Sequence, residues 1–457
     1  ADNNSAICMS SQNGHTEVVK LLLGDGRVEP AADNNFAIQS SSRYGHTNVV
    51  KLLLGDGRAD PTAGNNWAIR TSSSHGHADV VRLLLADGRA YPAADDNNAI
   101  RYSSYHGHAA VVRLLLADGR VDPTAGDNYA IRESSEYGHA DVVKLLLEDG
   151  RADPTTDRNN AIRWSSMFGR TDVVKLLLAD GRADAAAVGN FAIQTSSQHG
   201  YADVVRLLLA DARVDPTARN NDAIQWSSEY GHADVVKLLL KDGRADPTSL
   251  DNYAIQFSME KGHADVVRLL LEDGRADPAA VLYGSAIPMS YNEGHSDVVK
   301  LLLADGRANP EADINTAIKL SSANGDADMV QLLLEDGRAD PTEYGSESIR
   351  LSSKMGHAEV VKLLLSDARV DPTADNNYTI RVSSKMGRAE VVKLLLADGR
   401  ADPTAWNNYA IQKSSKKGHA DVVKLLLADA RVDPTAYDNY VICMSSEYGH
   451  TEVVKLL

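Results

Sequence analysis

A repeat of 31 residues, which recurs along all 457 residues, is the feature that most constrains the fold of this chain. The segment 129–156 reads YAIRESSEYGHADVVKLLLEDGRADPTT, and close copies lie on both sides of it. A fixed period of this length is typical of stacked architectures, in which each repeat packs only on its neighbours. One glycine marks the same position in each copy: Gly14, Gly45, Gly76, Gly107, Gly138, Gly169, Gly200, Gly231, Gly262, Gly294, Gly325, Gly356, Gly387, Gly418 and Gly449.

No change in composition and no linker interrupts this repeat, so the sequence predicts one elongated domain over residues 1–457. The domain would hold about 14 complete repeats and a shortened last one, each stabilised by packing on its neighbours. The repeats are least regular around 257–348. There Val281–Ser285 carry a one-residue insertion, and Pro288 enters a first helix near its start, where proline is tolerated.

The composition restricts the classes of partner. The net charge of −16, taken as evenly spread over the repeats, argues against nucleic acid and anionic membranes. No apolar run is long enough to span a bilayer, which argues against membrane insertion. Cys8 and Cys443 are the only cysteines and occupy the same position in distant repeats. No disulfide framework is therefore expected, and the low cysteine content slightly favours an intracellular location.

Each repeat is predicted to form two helices and a long loop. Asn128 is a suitable N-cap for a helix over Tyr129–Tyr137. Gly138 is expected to end that helix with a positive φ. A second helix follows over Ala140–Leu147, apolar on nearly all sides, so it must lie between neighbours. The segment Asp149–Pro154 is rich in turn-forming residues and cannot continue the helix.

The string Gly138–Leu147, GHADVVKLLL, resembles the second-helix signature of the ankyrin repeat. The sequence departs from that family at Tyr129–Arg132, where the family has Thr-Pro-Leu-His, and at Ser134–Ser135, where it has an alanine pair. The loop is about two residues shorter than in the usual 33-residue repeat. The resemblance implies an all-α, ankyrin-like helix–turn–helix solenoid of about 15 stacked repeats with short loops. It also implies a non-enzymatic protein that binds another protein along the concave face, which the first helices line.

The histidine after each marker glycine is interpreted as a structural residue. His139 and its equivalents would cap the turn between the two helices, because four repeats carry another residue there without loss of the pattern. A catalytic or metal-binding role would not tolerate such exchange, so no metal site is predicted. The replacements are Arg170, Tyr201, Asp326 and Arg388.

The recurring serines and arginines are interpreted in the same way. Ser134 and Ser135 are expected to bond to helix carbonyls four residues earlier. No nucleophile-elbow motif surrounds them, which argues against a catalytic role. Arg151 is expected to pair with aspartates in its own loop or the next. No phosphate-binding or calcium-binding motif occurs. The sequence therefore predicts no catalytic residue and no cofactor.

Binding residues are sought at the positions that vary between repeats. Three of these lie at i, i+4 and i+8 of the first helix, as in Tyr129, Glu133 and Tyr137, and so share one helix face. Many are aromatic or apolar, as expected of an interface, but they could equally pack on their own copies in adjacent repeats. The partner-binding candidates are Tyr129, Tyr137, Trp164, Phe168, Trp226, Tyr230, Tyr253, Phe257, Met289 and Leu320.

The alternative function is that of a structural rod or filament subunit that stacks head to tail with itself. Most repeats are near copies, and neither end has a polar capping repeat. The first and last repeats also share the text ICMSS. A head-to-tail contact that does not close produces an open filament. The end-stacking candidates are Ile7, Val18, Leu22, Ile442, Val453 and Leu456.

Overall fold

The computed structural model describes residues 3–280, 286–307 and 311–457, apart from the side chains of residues 3, 311, 312, 344 and 436–438. The chain divides into two compact units, Ala1–Asp246 and Pro247–Leu457, here called the N-terminal and C-terminal units. Each consists of helix–turn–helix repeats, and the described residues contain no strand. The predicted single domain over the whole chain stays a prediction. The insertion at Val281–Ser285 lies outside the described residues.

The N-terminal unit contains eight repeats. Their first helices are α1 (Asn3–Gln12), α3 (Ala32–Arg43), α5 (Ala63–Ser74), α7 (Ala94–Tyr105), α9 (Ala125–Tyr137), α11 (Thr156–Met167), α13 (Ala187–Gln198) and α15 (Ala218–Glu229). Their second helices are α2 (Thr16–Asp25), α4 (Thr47–Asp56), α6 (Ala78–Asp87), α8 (Ala109–Asp118), α10 (Ala140–Asp149), α12 (Thr171–Asp180), α14 (Ala202–Leu209) and α16 (Ala233–Asp242).

The C-terminal unit follows the same plan. Its first helices are α17 (Ser249–Glu260), α19 (Ala286–Asn292), α21 (Glu311–Asn324), α23 (Glu343–Met355), α25 (Ala374–Lys385), α27 (Ala405–Lys416) and α29 (Ala436–Glu447). Its second helices are α18 (Ala264–Asp273), α20 (Ser296–Asp305), α22 (Ala327–Asp336), α24 (Ala358–Ser366), α26 (Ala389–Asp398), α28 (Ala420–Leu427) and α30 (Thr451–Leu456). Pro288 is the third residue of α19, so it lies in the first turn, as expected.

Packing within each unit joins helices of the same kind in adjacent repeats. First helices contact first helices, as in α7 with α9, and second helices contact second helices, as in α8 with α10. Ala130 and Ile131 of α9, and Val142, Val143 and Leu146 of α10, are fully buried. Equivalent residues form the core in the other repeats, and the core clusters run through several repeats. The prediction of an all-α stack stabilised by neighbours is confirmed.

The start of each first helix differs from the prediction. In α9, Gly126, Asp127 and Asn128 all have left-handed backbone angles (φ 62°, 59° and 57°), and the right-handed helix begins at Tyr129. Asn128 therefore lies outside the extended conformation of an N-cap residue, and its side chain bonds elsewhere, as described below. This left-handed turn recurs in most repeats and explains the Gly, Asp and Asn there, which adopt positive φ with least strain.

Candidate functional site

The recurring histidines join each repeat to the one before it. His139 Nε2 donates to the carbonyl oxygen of Tyr105, 34 residues earlier, at 2.9 Å. Arg170 replaces the histidine and donates from Nε to the Glu136 carbonyl at 3.1 Å. The interpretation of His139 as a structural residue is confirmed. The predicted capping role is wrong, because its side chain forms no cap hydrogen bond to the helix. Equivalent bonds join His46 to Gln12, His77 to Arg43, His108 to Ser74, His232 to Gln198, His357 to Ala323, His419 to Lys385 and His450 to Lys416.

The marker glycine lies directly beneath this histidine. A Cβ atom at Gly107, where φ is +77°, would lie 2.5 Å from Nδ1 of His139. At Gly294 the same position is open within 4 Å. The reason is that the corresponding residue of the next repeat is Asp326, which accepts a bond from the Met329 amide of its own helix. The glycine thus permits the positive φ of its own turn and leaves room for the histidine side chain of the next repeat.

Loop arginines make a second connection between repeats. Arg151 donates from Nε and Nη2 to the two carboxylate oxygens of Asp149 at 2.8 and 2.9 Å, and this pairing lowers the pKa of Asp149. Its Nη1 donates to the carbonyl of Val121 in the preceding loop at 2.9 Å. The predicted pairing with an aspartate of the same loop is confirmed. The bond to the previous loop was not predicted, because its acceptor is a backbone atom.

The asparagine that ends each left-handed turn makes a third connection. Asn128 Oδ1 accepts the amide of Asp153, 25 residues later, at 2.8 Å, and its Nδ2 donates to Thr156 Oγ1 at 2.8 Å. Asn97, Asn159 and Asn190 accept the corresponding amides in the loops that lead to their next repeats. The three connections fix the spacing of adjacent repeats.

The paired serines differ from each other. Ser134 Oγ donates to the Ala130 carbonyl at 2.7 Å, as predicted. Ser135, fully buried, has no partner for its hydroxyl, so the prediction for the second serine is wrong. The same buried, unpaired hydroxyl occurs at Ser11, Ser42, Ser73, Ser104, Ser166, Ser197, Ser228, Ser322, Ser353, Ser384 and Ser415.

These connections hold the third variable position, i+8, at the surface. In the N-terminal unit this position is exposed in seven successive repeats, and we call the set the aromatic column. Several of its rings stack on the histidine two residues later, which bonds to the preceding repeat. The ring centroids of Tyr137 and His139 lie 6.4 Å apart, and so do those of Tyr230 and His232. The aromatic column comprises Tyr44, His75, His106, Tyr137, Phe168, His199 and Tyr230.

The middle variable position, i+4, packs within the stack. Trp164 is half-buried, with its ring centroid 6.3 Å from Phe191 in the next repeat and 5.9 Å from Phe168. Trp226 occupies the same position and is also half-buried. Partner contact at either position stays a prediction. The i+4 ring of Trp164 packs on its neighbours, whereas the i+8 side chains remain available to a partner.

Tyr129 and Tyr137 belong to a tyrosine cluster at the centre of the N-terminal unit. The rings of Tyr105 and Tyr137 lie 4.8 Å apart, and Arg101 lies over the Tyr129 ring at 4.9 Å. Hydrogen bonding between the hydroxyls of Tyr105 and Tyr137 raises the pKa of Tyr137 to about 12. Burial raises the pKa of the neighbouring Glu133. At Tyr137 the aromatic column therefore presents a neutral phenol group.

The candidates in the C-terminal unit are all half-buried. Tyr253 and Phe257 stack on each other at 4.0 Å, while Met289 and Leu320 lie on α19 and α21. A larger cluster, which the sequence analysis missed, contains Tyr378, Arg381, Trp406 and Tyr409. Trp406 is 64% exposed. The sequence signal was present, since Trp406 stands where other repeats carry Gly or Asp.

The Trp406 cluster surrounds a cavity of about 350 Å³. Arg381 is buried and lies over the Trp406 ring at 4.3 Å, and Arg350 lies over Tyr378 at 4.7 Å. Arg381 donates from Nε and Nη2 to the carbonyls of Asn376 and Asp375, both at 2.8 Å, which holds it in place. The rings are thus positioned on one side by cations of the chain itself.

Comparison with known protein families agrees with this architecture. The family model of ankyrin repeats, which holds three copies, matches residues 1–65, 129–220, 191–281 and 287–376, more than half of the chain. The chain belongs to the ankyrin-repeat family. None of the curated proteins matches it in sequence. As ankyrin repeats generally mediate protein–protein interaction, the first-helix surface is the candidate binding site.

The end-stacking candidates of this ankyrin array differ in exposure. Ile7 and Val453 are buried inside their own repeats, and Leu22 and Ile442 are half-buried. Val18 and Leu456 are exposed, and so is Leu21, which the sequence analysis did not name. Self-association through these residues stays a prediction.

The described part of the ankyrin array holds no group of three His, Cys, Asp or Glu side chains placed to bind a metal ion. Within the same residues, no helix has both the length and the apolar character needed to cross a membrane. Cys8 is buried and Cys443 is exposed, and neither forms a disulfide bond within the described residues.

Proposed function

We propose that this chain is a non-enzymatic interaction scaffold that binds another protein along the first-helix surface of its repeats. The supporting observation is the aromatic column. Tyr137, Phe168 and Tyr230 are 43%, 38% and 51% exposed, although their large rings could bury far more area against a partner. Aromatic side chains in such half-exposed positions are enriched among the residues that dominate binding energy.

The rigidity of the column supports the same function. Each ring stands at or just after the last residue of a first helix, and connections through His, Arg and Asn side chains fix the spacing of these helices. Rigid aromatic anchors lose little conformational entropy on binding, so their buried area contributes efficiently to affinity. The recurring histidines and the first serine of each pair bond to backbone carbonyls, and the second serine is fully buried, which supports a binding rather than a catalytic function.

The test combines capture of partners with a matched control. The immobilised chain would be used to isolate proteins from its source extract, with identification by mass spectrometry. The triple variant Tyr137→Ala, Phe168→Ala and Tyr230→Ala is expected to lose the captured partner, since removing hot-spot rings costs about 2 kcal/mol or more each. The control Tyr91→Ala removes a ring that is 54% exposed but lies in a loop. Helical circular dichroism should stay unchanged in both. Equal capture by the triple variant and the wild type would contradict the proposal.

A further inference from the structure

Three adjacent repeats of the C-terminal unit depart from the acidic character of the chain. We consider the right-handed parts of α23, α25 and α27, together with the one residue that follows α25 and α27. These are residues 347–355, 378–386 and 409–417, and we call their surface the basic face. These segments contain one acidic residue, Glu347, against seven basic ones, of which Arg381 is buried. The corresponding segments of α9, α11 and α13 carry two of each sign. The basic residues are Arg350, Lys354, Arg381, Lys385, Lys413, Lys416 and Lys417.

Three of these lysines form a column. Lys354, Lys385 and Lys416 occupy the same position in successive repeats, and their helices pack side by side. Lys354 is exposed, and the other two are half-exposed. The ammonium group of Lys416 lies 5.0 Å from the Tyr448 ring centroid. At roughly 8–10 Å between helix axes, the column is about 20 Å long.

Apolar side chains lie beside the lysine column. Met355, the last residue of α23, and Met386, which follows α25, are exposed directly after Lys354 and Lys385. Trp406 lies at the cavity of about 350 Å³ that Lys385 also lines. A ligand of this surface would therefore meet positive charge and apolar contacts together. Asp375 lies at the cavity and pairs with Arg350 at 3.7 Å, so it offsets one of the seven positive charges.

The ring faces favour a peptide over a nucleic acid. Base stacking needs a free aromatic face, and a cation of the chain already covers one face of each ring. Arg381 lies 4.3 Å from the Trp406 ring, Lys413 lies 5.2 Å from Tyr409, and Arg350 lies 4.7 Å from Tyr378. A nucleic acid longer than the column would also extend over other parts of a chain whose net charge is −16. A short acidic segment fits within the basic face, because about six extended residues span 20 Å.

We infer that the basic face binds a short segment of a partner protein that is rich in aspartate or glutamate and carries an apolar side chain. The carboxylates would pair with the lysine column, and the apolar side chain would contact Met386 and Trp406. This inference rests on the proposed function, since it takes the first-helix surface as the recognition surface, and it adds the chemistry of the partner in the C-terminal unit.

Fluorescence anisotropy with defined probes tests this inference on the full chain. The probe is a labelled ten-residue peptide of glutamates with a central leucine, compared with the same peptide made of lysines. We expect binding of the acidic peptide that weakens as salt is raised, because exposed charge pairs are screened. The double variant Lys385→Glu and Lys416→Glu should reduce affinity by about tenfold or more.

Two controls separate this site from a general effect of charge. The pair Lys362→Glu and Lys393→Glu makes the same change on second helices α24 and α26, where both lysines are exposed. It should leave binding of the acidic peptide unchanged. Trp406→Ala should weaken binding without changing net charge. Thermal unfolding by circular dichroism confirms that each variant is folded.

The inference is overturned if the acidic peptide does not bind, if both peptides bind equally, or if the two double variants lose affinity equally. Tighter binding of a ten-nucleotide poly-uridine strand than of the acidic peptide would assign the face to nucleic acid instead. If the peptide fails while the aromatic-column variant still loses its captured partner, this inference falls and the proposed function stands.

Discussion

Replacing Gly107 with alanine tests whether the marker glycine is required by its own backbone or by the next repeat. Gly107 has φ +77°, and an added Cβ would lie 2.5 Å from Nδ1 and 2.8 Å from Cε1 of His139. Two other glycines provide the control. Gly119 has φ +78° and Gly294 has φ +83°, and an added Cβ at either would have no heavy atom within 4 Å. Gly294 holds the same position as Gly107, but Asp326 replaces the histidine above it.

The expected loss of stability is larger at Gly107. All three substitutions place alanine in a left-handed conformation, which costs about 1 kcal/mol. At Gly107 the His139 ring must also move, although its Nε2 is held by the Tyr105 carbonyl at 2.9 Å. Loss of that hydrogen bond adds about 1 kcal/mol, and the disturbed packing adds about 1 more. We expect a loss of about 3 kcal/mol at Gly107 and about 1 kcal/mol at Gly119 and Gly294.

Urea unfolding followed by helical circular dichroism measures the three variants under identical conditions. The double variant Gly107→Ala with His139→Ala should destabilise by less than the sum of its parts, since the second change removes the clash. Equal losses at Gly107, Gly119 and Gly294 would refute the reasoning, and so would strict additivity in the double variant. Either result would mean that the marker glycine is required only by the end of its own helix.

The remaining predictions concern single side chains. Ser135→Ala should raise the free energy of unfolding by about 1 kcal/mol, because it removes a buried hydroxyl without a partner. Ser134→Ala should not raise it, because this substitution removes a hydrogen bond. Urea unfolding distinguishes the two variants. Val188 has φ 56° where another repeat has Gly126, so Val188→Gly should stabilise by about 1 kcal/mol in the same assay. Burial lowers the pKa of the His108 imidazole below its usual 6.5. The stability that neutral His108 contributes is therefore fully present above that pH, and it is lost as pH falls through the lower pKa of the folded state. His108→Gln should therefore flatten the fall in unfolding free energy between about pH 7 and 5, as measured by urea titration at each pH.

The periodic features of the fold could be predicted from the sequence. Gly138 ends its helix because only a residue tolerant of positive φ fits there, and its φ is 84°. The apolar second helix had to be buried on several sides, and Val142, Val143 and Leu146 are. These outcomes depend on local chemistry and on the period alone. Asn128 and His139 were assigned wrong bonds because their partners are backbone groups distant in the sequence. These are the Asp153 amide, 25 residues after Asn128, and the Tyr105 carbonyl, 34 residues before His139.

The candidate site was only partly predictable for a related reason. Spacing of i, i+4 and i+8 places Tyr129, Glu133 and Tyr137 on one helix face, but it does not say how far the neighbouring helices cover that face. The structure shows that the adjacent repeat covers part of Trp164 at i+4 and leaves Phe168 at i+8 exposed. That difference depends on how adjacent helices are placed, which the sequence pattern does not contain.

The way adjacent repeats are joined explains why so regular a chain can still carry specific surfaces. The acceptors of His139 and Arg151 in the preceding repeat are backbone carbonyls, present whatever side chain stands there. First-helix side chains can therefore change from one repeat to the next without loss of the joining bonds, as the exchange of histidine for Arg170 also indicates. The aromatic column and the basic face are two such sets of changes on one conserved frame. Within the described repeats, function should therefore be sought where neighbouring copies differ, and Trp406 and Lys385 differ most clearly from their counterparts Gly126 and Glu136.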